Sequence, residues 1–260
     1  MANRILWINP LGTNAFDEGI HEMLIKSKEP ETEITVVSLK RGPQHVEYHF
    51  YDTLVVMDLL DRIREAEEQG FSAAIIGCFY DPGVREAREI STRMVVTGLC
   101  EPCVHVASSL GHKFSVIVGR KKWIPKMEEN VLKYGFENRL AGFKAVELGV
   151  YDFQKDPGET YRRIKEAASF TIEENLAEVV ILACTAEARF TQKLQDELQV
   201  PVLDSIRAPL KYAEMLVSCA KRFNWHHSKK YDYESPPSSE ISEWALRKQY
   251  GLSDAWERFS

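Results

Sequence analysis

The chain has 260 residues, 44% hydrophobic and 28% charged, with a net charge of −6 at pH 7. This is ordinary globular composition, long enough for one large or two small domains with an ample core. The acidic balance argues against a nucleic-acid surface, no apolar run reaches the length of a membrane span, and five cysteines, an odd number, make no secreted disulfide framework.

The opening from Met1 to Pro10 runs straight into a strand pattern without the apolar stretch of a signal peptide, so a cytosolic location is expected. Short apolar runs then alternate with helical patterns, which is the signature of a parallel α/β sheet. Strands are predicted at 4–9, 33–38, 73–77, 94–97, 114–118, 142–146, 179–183 and 200–203. A helix is predicted over 54–69, where Val56, Leu59, Leu60 and Ile63 follow helical spacing and Gly70 supplies the stop. Another is predicted over 159–177, where Tyr161, Ile164, Ala168 and Ile172 share one face.

Two cysteines occupy matching places in this pattern. Cys78 follows Ala73-Ala74-Ile75-Ile76-Gly77, and Cys184 follows Val179-Val180-Ile181-Leu182-Ala183. Each closes an apolar run that reads as a buried parallel strand, and each opens a loop before another helix. Ligands of open α/β sheets bind beyond the carboxyl ends of strands, and a following helix N-terminus would lower a thiol's pKa there. Buried cysteine also serves as plain packing, but the repeated context favours chemistry. Two thiols in two similar lobes, facing one substrate, suit removal of a proton from one side of a carbon and its return to the other.

The echo between the halves predicts two flavodoxin-like parallel-sheet lobes related by pseudo-two-fold symmetry, with a cleft between them. The first lobe is expected at 1–98, completed by 204–223, and the second at 99–203. An extension, 224–260, lacks periodicity at first and then offers a short helix over 240–249. Its Trp225, Trp244, Trp256 and Phe259 are too apolar for a free tail. Docking on a neighbouring subunit, and so a homo-oligomer, is one expectation, and packing on its own chain is the other.

Several segments together resemble the hydantoin racemase family of the aspartate/glutamate racemase superfamily. They are Trp7-Ile8-Asn9-Pro10, Gly77-Cys78-Phe79-Tyr80-Asp81-Pro82-Gly83, Leu110-Gly111-His112-Lys113-Phe114-Ser115-Val116, the run from Ile124 to Gly135, the second cysteine, and Val200-Pro201-Val202-Leu203-Asp204. The resemblance covers about residues 4–220. It implies a racemase without metal, pyridoxal phosphate or nucleotide, using Cys78 and Cys184 as paired acid and base on a small molecule. It also implies that Asn9 orients a polar substrate edge. Main-chain N–H groups at Phe79, Thr185 and Ala186 are expected to hold developing negative charge.

The departures gather around the expected substrate. Tyr80 stands where the family has glycine, Leu99-Cys100-Glu101-Pro102-Cys103 replaces Gly-Ile-Gly-Glu-Ala-Ala, Gly119-Arg120 replaces a threonine pair, and Ala183-Cys184-Thr185-Ala186 replaces Gly-Cys-Ala-Gly. Tyr80, Gly119 and Arg120 are therefore expected to touch substrate. A 5-substituted hydantoin or a related ureide such as allantoin is the expected substrate. An aspartate/glutamate-type racemase, a decarboxylase or isomerase of the superfamily, and a non-catalytic binding protein stay open as alternatives. Cys100 and Cys103 have Cys-x-x-Cys spacing, but no second pair exists, so a metal site is not expected. His226 and His227 are read as solvated residues of the tail.

Overall fold

The computed structural model describes residues 3–257; the expectation for Phe259 falls outside them. All eight predicted strands are present, in two four-stranded parallel sheets. The chain divides into two compact units. The first takes in the described residues of Met1–Gly77, Pro82–Thr97 and Ala213–Ser260, and the second holds Cys78–Asp81 and Gly98–Tyr212.

In chain order the first unit begins with β1 (Asn3–Asn9), α1 (Asp17–Ser27), β2 (Thr32–Ser38), α2 (His49–Glu68), β3 (Ala73–Ile76), α3 (Val84–Ile90) and β4 (Val95–Thr97). The sheet order is β2-β1-β3-β4. Strands β1 and β3 lie in the middle, and their uninterrupted apolar runs are buried, as a sheet covered on both faces requires. Helix α2 buries Val55, Leu59, Leu60 and Ile63 along one stripe. It begins five residues earlier than its apolar pattern announces, since its first turn carries the exposed Phe50 outside the buried stripe. Gly70, at φ +76°, takes the left-handed conformation that ends it.

The second unit continues with α4 (Cys100–Leu110), β5 (Phe114–Val118), α5 (Ile124–Lys133), β6 (Leu140–Ala145), α6 (Pro157–Asn175), β7 (Val179–Leu182), α7 (Thr191–Leu198) and β8 (Val202–Asp204). The order β6-β5-β7-β8 repeats the first sheet's pattern, with the second strand outermost and the first beside the third. Asp156 caps α6 by accepting the N–H groups of Gly158 and Glu159, both at 3.0 Å, and Pro157 opens its first turn. Its buried face is Thr160, Ile164, Ala167, Ala168 and Thr171, so the predicted Tyr161 and Ile172 lie only at the margin. Helix α8 (Arg207–Phe223) supplies residues to both units.

The extension packs on its own unit. The expected single helix over 240–249 is two short ones, α9 (Ser238–Glu243) and α10 (Leu246–Tyr250), because Ala245 between them is left-handed at φ +52°. Trp256 is buried and donates its indole N–H to Asp61 at 2.9 Å, while Arg64 donates to the Ala255 carbonyl at 3.3 Å. His227 is not a solvated residue: its Nε2 accepts the Val96 N–H at 2.9 Å, and burial beside Arg88 and Lys229 pushes its pKa down to about 3. Trp225 and Trp244 remain exposed.

Candidate active site

In each sheet the first and third strands are neighbours, and the connections leave them in opposite directions. Open α/β sheets take ligands at such a point, beyond the strand ends. In the first sheet these ends are Asn9 and Gly77. Asn9 is buried and its amide is already engaged: Oδ1 accepts the Trp7 indole N–H at 2.8 Å, and Nδ2 donates to Asp17 at 2.6 Å. Ser38 donates to the same Asp17 oxygen at 2.7 Å. One N–H and one lone pair of Asn9 remain for a further partner. Gly77 is required here, since a Cβ would lie 2.5 Å from Trp7 Nε1 and 2.9 Å from Asn9 Oδ1.

The segment after Gly77 is a turn rather than the start of a helix. Asp81 N–H donates to the Cys78 carbonyl at 3.0 Å, and Asp81 itself is left-handed at φ +49°. Pro82 and Gly83 then delay α3 to Val84, so no helix N-terminus lies directly behind the Cys78 thiol, contrary to the sequence expectation. The thiol is half-buried and finds its donor in the backbone: the Tyr80 N–H points at Cys78 Sγ at 3.5 Å. Phe79 and Tyr80 are buried, and Lys126 Nζ sits 5.0 Å over the Tyr80 ring.

Two residues that sequence reasoning passed over hold this turn. Asn130 of α5 donates Nδ2 to the Tyr80 carbonyl at 2.8 Å and to the Phe79 carbonyl at 3.4 Å. Asp81 accepts the N–H groups of Leu99, Cys100 and Glu101 at 2.7, 2.9 and 3.1 Å, and so caps α4 from a distant part of the chain. Burial raises the Asp81 carboxyl to about 6, while these donors and the Tyr134 hydroxyl oppose the shift. Gly98 admits the carboxylate, because a Cβ there would fall 2.1 Å from Asp81 Oδ1. The visible signal for the turn was Asp81-Pro82-Gly83.

In the second sheet the corresponding ends are Gly119, after β5, and Cys184, after β7. Gly119 is glycine for a packing reason, since a Cβ would lie 2.4 Å from both the Leu148 carbonyl and the Trp123 ring. Arg120 is half-buried; the hydrogen bond from Lys155 lowers the carboxyl of Asp152, with the Arg120 charge a small further influence. Cys184 is half-buried and is followed by a six-residue 3-10 helix, Thr185–Phe190, not by an α-helix. Thr185 and Ala186 are half-buried at its start. The expected α-helix does not begin directly behind this thiol either: the 3-10 turn separates Cys184 from α7 at Thr191.

Glu187, three residues on, is wholly buried at 0% exposure. Its Oε2 accepts the Cys184 N–H at 3.0 Å, and its own N–H returns to the Cys184 carbonyl at 2.9 Å. Oε1 has no hydrogen-bond partner among the described residues. Burial raises this carboxyl to about 8, against a smaller opposing effect of the Cys184 N–H.

Cys100 and Cys103 are buried on α4, and burial holds both thiols well above their ordinary range. Cys103 donates to the Asp204 carbonyl at 3.7 Å. Among the described residues no three His, Cys, Asp or Glu side chains gather as metal ligands.

The model of a family described as Asp/Glu/Hydantoin racemase matches residues 5–213. A hydantoin racemase from Pseudomonas sp. (strain NS671) is 33% identical over 88% of this chain and 91% of its own length. A hydantoin racemase from Paenarthrobacter aurescens is 32% identical over 90% and 97%. Among solved structures, an allantoin racemase from Klebsiella pneumoniae superposes with a TM-score of 0.84 at 29% identity, covering 91% of this chain and 94% of the other. With the family model matched over residues 5–213 and two relatives above 30% identity along nearly nine-tenths of its length, the chain belongs to the Asp/Glu/hydantoin racemase family.

Proposed function

We propose that the protein is a cofactor-independent racemase of 5-substituted hydantoins, allantoin included, with Cys78 and Cys184 as its acid and base. Allantoin is itself a hydantoin with a ureido group at C5, so the named activities of the relatives describe one ring chemistry. The thiolate of one cysteine takes the C5 proton, and the electron pair is delocalised into the adjacent carbonyl as an enolate. The thiol of the other cysteine then gives its proton to the opposite face of C5 and is left as thiolate. The two cysteines end with exchanged protonation, ready for the other enantiomer.

One observation carries the assignment of the base: Cys78 Sγ is half-buried with the Tyr80 N–H directed at it. A sulfur that accepts a main-chain N–H is favoured as thiolate. The N–H groups of Phe79, Thr185 and Ala186 serve the developing oxyanion, and Asn9 has capacity left to meet a polar ring edge. Tyr80, Gly119 and Arg120 shape the substituent pocket.

Incubation of single enantiomers of allantoin and of 5-alkyl hydantoins in deuterated water tests the reading. Loss of optical rotation together with deuterium at C5 is expected. Release of carbon dioxide from a malonate, or racemisation of free aspartate or glutamate alone, would replace it with another activity of the superfamily. Binding without exchange would make the protein a non-catalytic receptor.

A further inference from the structure

The carboxyl of Glu187 is not used by the proton transfer proposed above, yet it is the most unusual polar group near it. Glu187 closes a capping box with Cys184 at the start of the 3-10 turn, but a wholly buried carboxyl with one unpartnered oxygen costs more than a surface cap of the same kind. Cys184 holds the N-cap position of that box, where serine, threonine or aspartate is the usual residue. Glu187 returns its carboxyl from three residues on and closes a ring of two hydrogen bonds with the main chain of Cys184 at 3.0 and 2.9 Å. The neighbouring framework is cross-linked by side-chain hydrogen bonds. Thr191 bonds Asp204 at 3.0 Å, and Arg207 reaches the Ala188 carbonyl at 3.3 Å, so the 3-10 turn is fixed against the end of β8.

We propose that Glu187 is a positioning residue for Cys184, clamping the main chain of that cysteine so that its thiol is held in register with the substrate carbon. The inference rests on the reading of Cys184 as an acid/base residue. A proton-transfer group must be placed to within fractions of an ångström, so loosening its main chain lowers turnover more than binding. The acceptor carbonyl of the side chain is the active feature, not a negative charge. Burial favours the neutral acid at neutral pH, which agrees with that role.

The test compares Glu187→Gln, Glu187→Met and Glu187→Asp with Cys184→Ala, using allantoin and a 5-alkyl hydantoin as probes. Rates are normalised to folded protein by circular dichroism and to the number of alkylatable thiols. The glutamine variant keeps the acceptor and the length, and should lose less than about threefold in kcat. The methionine variant removes the acceptor at similar volume, and the aspartate variant withdraws it by one methylene. Both should lose about tenfold to a hundredfold in kcat with KM nearly unchanged. If the methionine variant does not fold, the aspartate and glutamine pair decides. Full kcat in the methionine or aspartate variant, or a glutamine variant as slow as they are, overturns the proposal. So does a loss in all three that disappears on normalisation, since that marks a structural carboxyl only. Full activity in Cys184→Ala would instead sink the two-cysteine reading itself.

Discussion

Tyr134 donates its hydroxyl to Asp81 Oδ2 at 2.8 Å, on a carboxylate that also accepts three main-chain N–H groups. The pair ties the end of α5 to the turn that carries Cys78 and to the start of α4. Tyr134→Phe should cost about 1.5–3 kcal/mol, the usual value of a hydrogen bond to a charged group. Because burial raises Asp81 from its ordinary 3.8 to about 6, the carboxyl's contribution is fully present below 3.8 and is lost as pH rises through about 6. The hydroxyl opposes that loss by favouring the charged form. Thermal melts should therefore show a larger deficit for the variant at pH 8 than at pH 4, and an equal deficit at both would mean that Asp81 does not titrate between them.

Either Cys78→Ala or Cys184→Ala should slow racemisation by about 10²–10⁴-fold without unfolding the chain. Iodoacetamide should inactivate the native protein, and substrate should protect it. Cys100 and Cys103 are buried, with thiols held in the protonated form, and should stay unmodified until the protein is denatured. Peptide mapping after partial alkylation reads this directly. Labelling of Cys103 ahead of Cys78 would contradict it.

Glu187 leaves its own mark on stability. Its folded pKa of about 8 lies above the ordinary 4.5, so the folded state holds the proton more tightly. The corresponding stability is complete below about 4.5 and is lost as pH rises through about 8. Glu187→Gln cannot ionise, so its Tm should fall less than the wild type's between pH 5 and 9. Parallel curves would place the ionisation elsewhere.

Much of the fold was legible because burial on both faces leaves an unbroken apolar run at each central strand, as in Ala73–Ile76 and Val179–Leu182. The two cysteines were legible because they end such runs. Asn130 and Tyr134 were not, since they act on Tyr80 and Asp81 some fifty residues away; Glu187 acts locally, but a Cys-x-x-Glu spacing is a faint signal for a turn, and its burial did not show. The position of Gly119 showed, but its reason did not: it makes room for Trp123 and the Leu148 carbonyl. The break between α9 and α10 falls at Trp244-Ala245-Leu246, where nothing in the sequence argues against helix. His227 read as solvated because the segment around it is charged, although the side chain turns onto β4.

That histidine predicts an acid response in the extension. Its pKa falls from an ordinary 6.5 to about 3, so the stability it lends is present above 6.5 and is lost as pH falls toward 3. Protonation removes the lone pair that accepts the Val96 N–H. Limited proteolysis at pH 5 should cut within 224–257 faster than at pH 8, and His227→Gln should reduce the difference. Truncation after Phe223 should lower Tm, because Asp61, Arg64 and Val96 all lose partners. Light scattering on the same variant reports whether the segment also joins subunits.

The Val96 contacts carry one more consequence. β4 is an outer strand, and Val96 turns its N–H and carbonyl away from β3; the first is taken by His227 and the second by Arg88 at 3.0 Å. A strand edge saturated by side chains cannot template a foreign strand. Here His227 of the extension covers the N–H and Arg88 of α3 covers the carbonyl, so an incoming strand would find neither main-chain group of Val96 free.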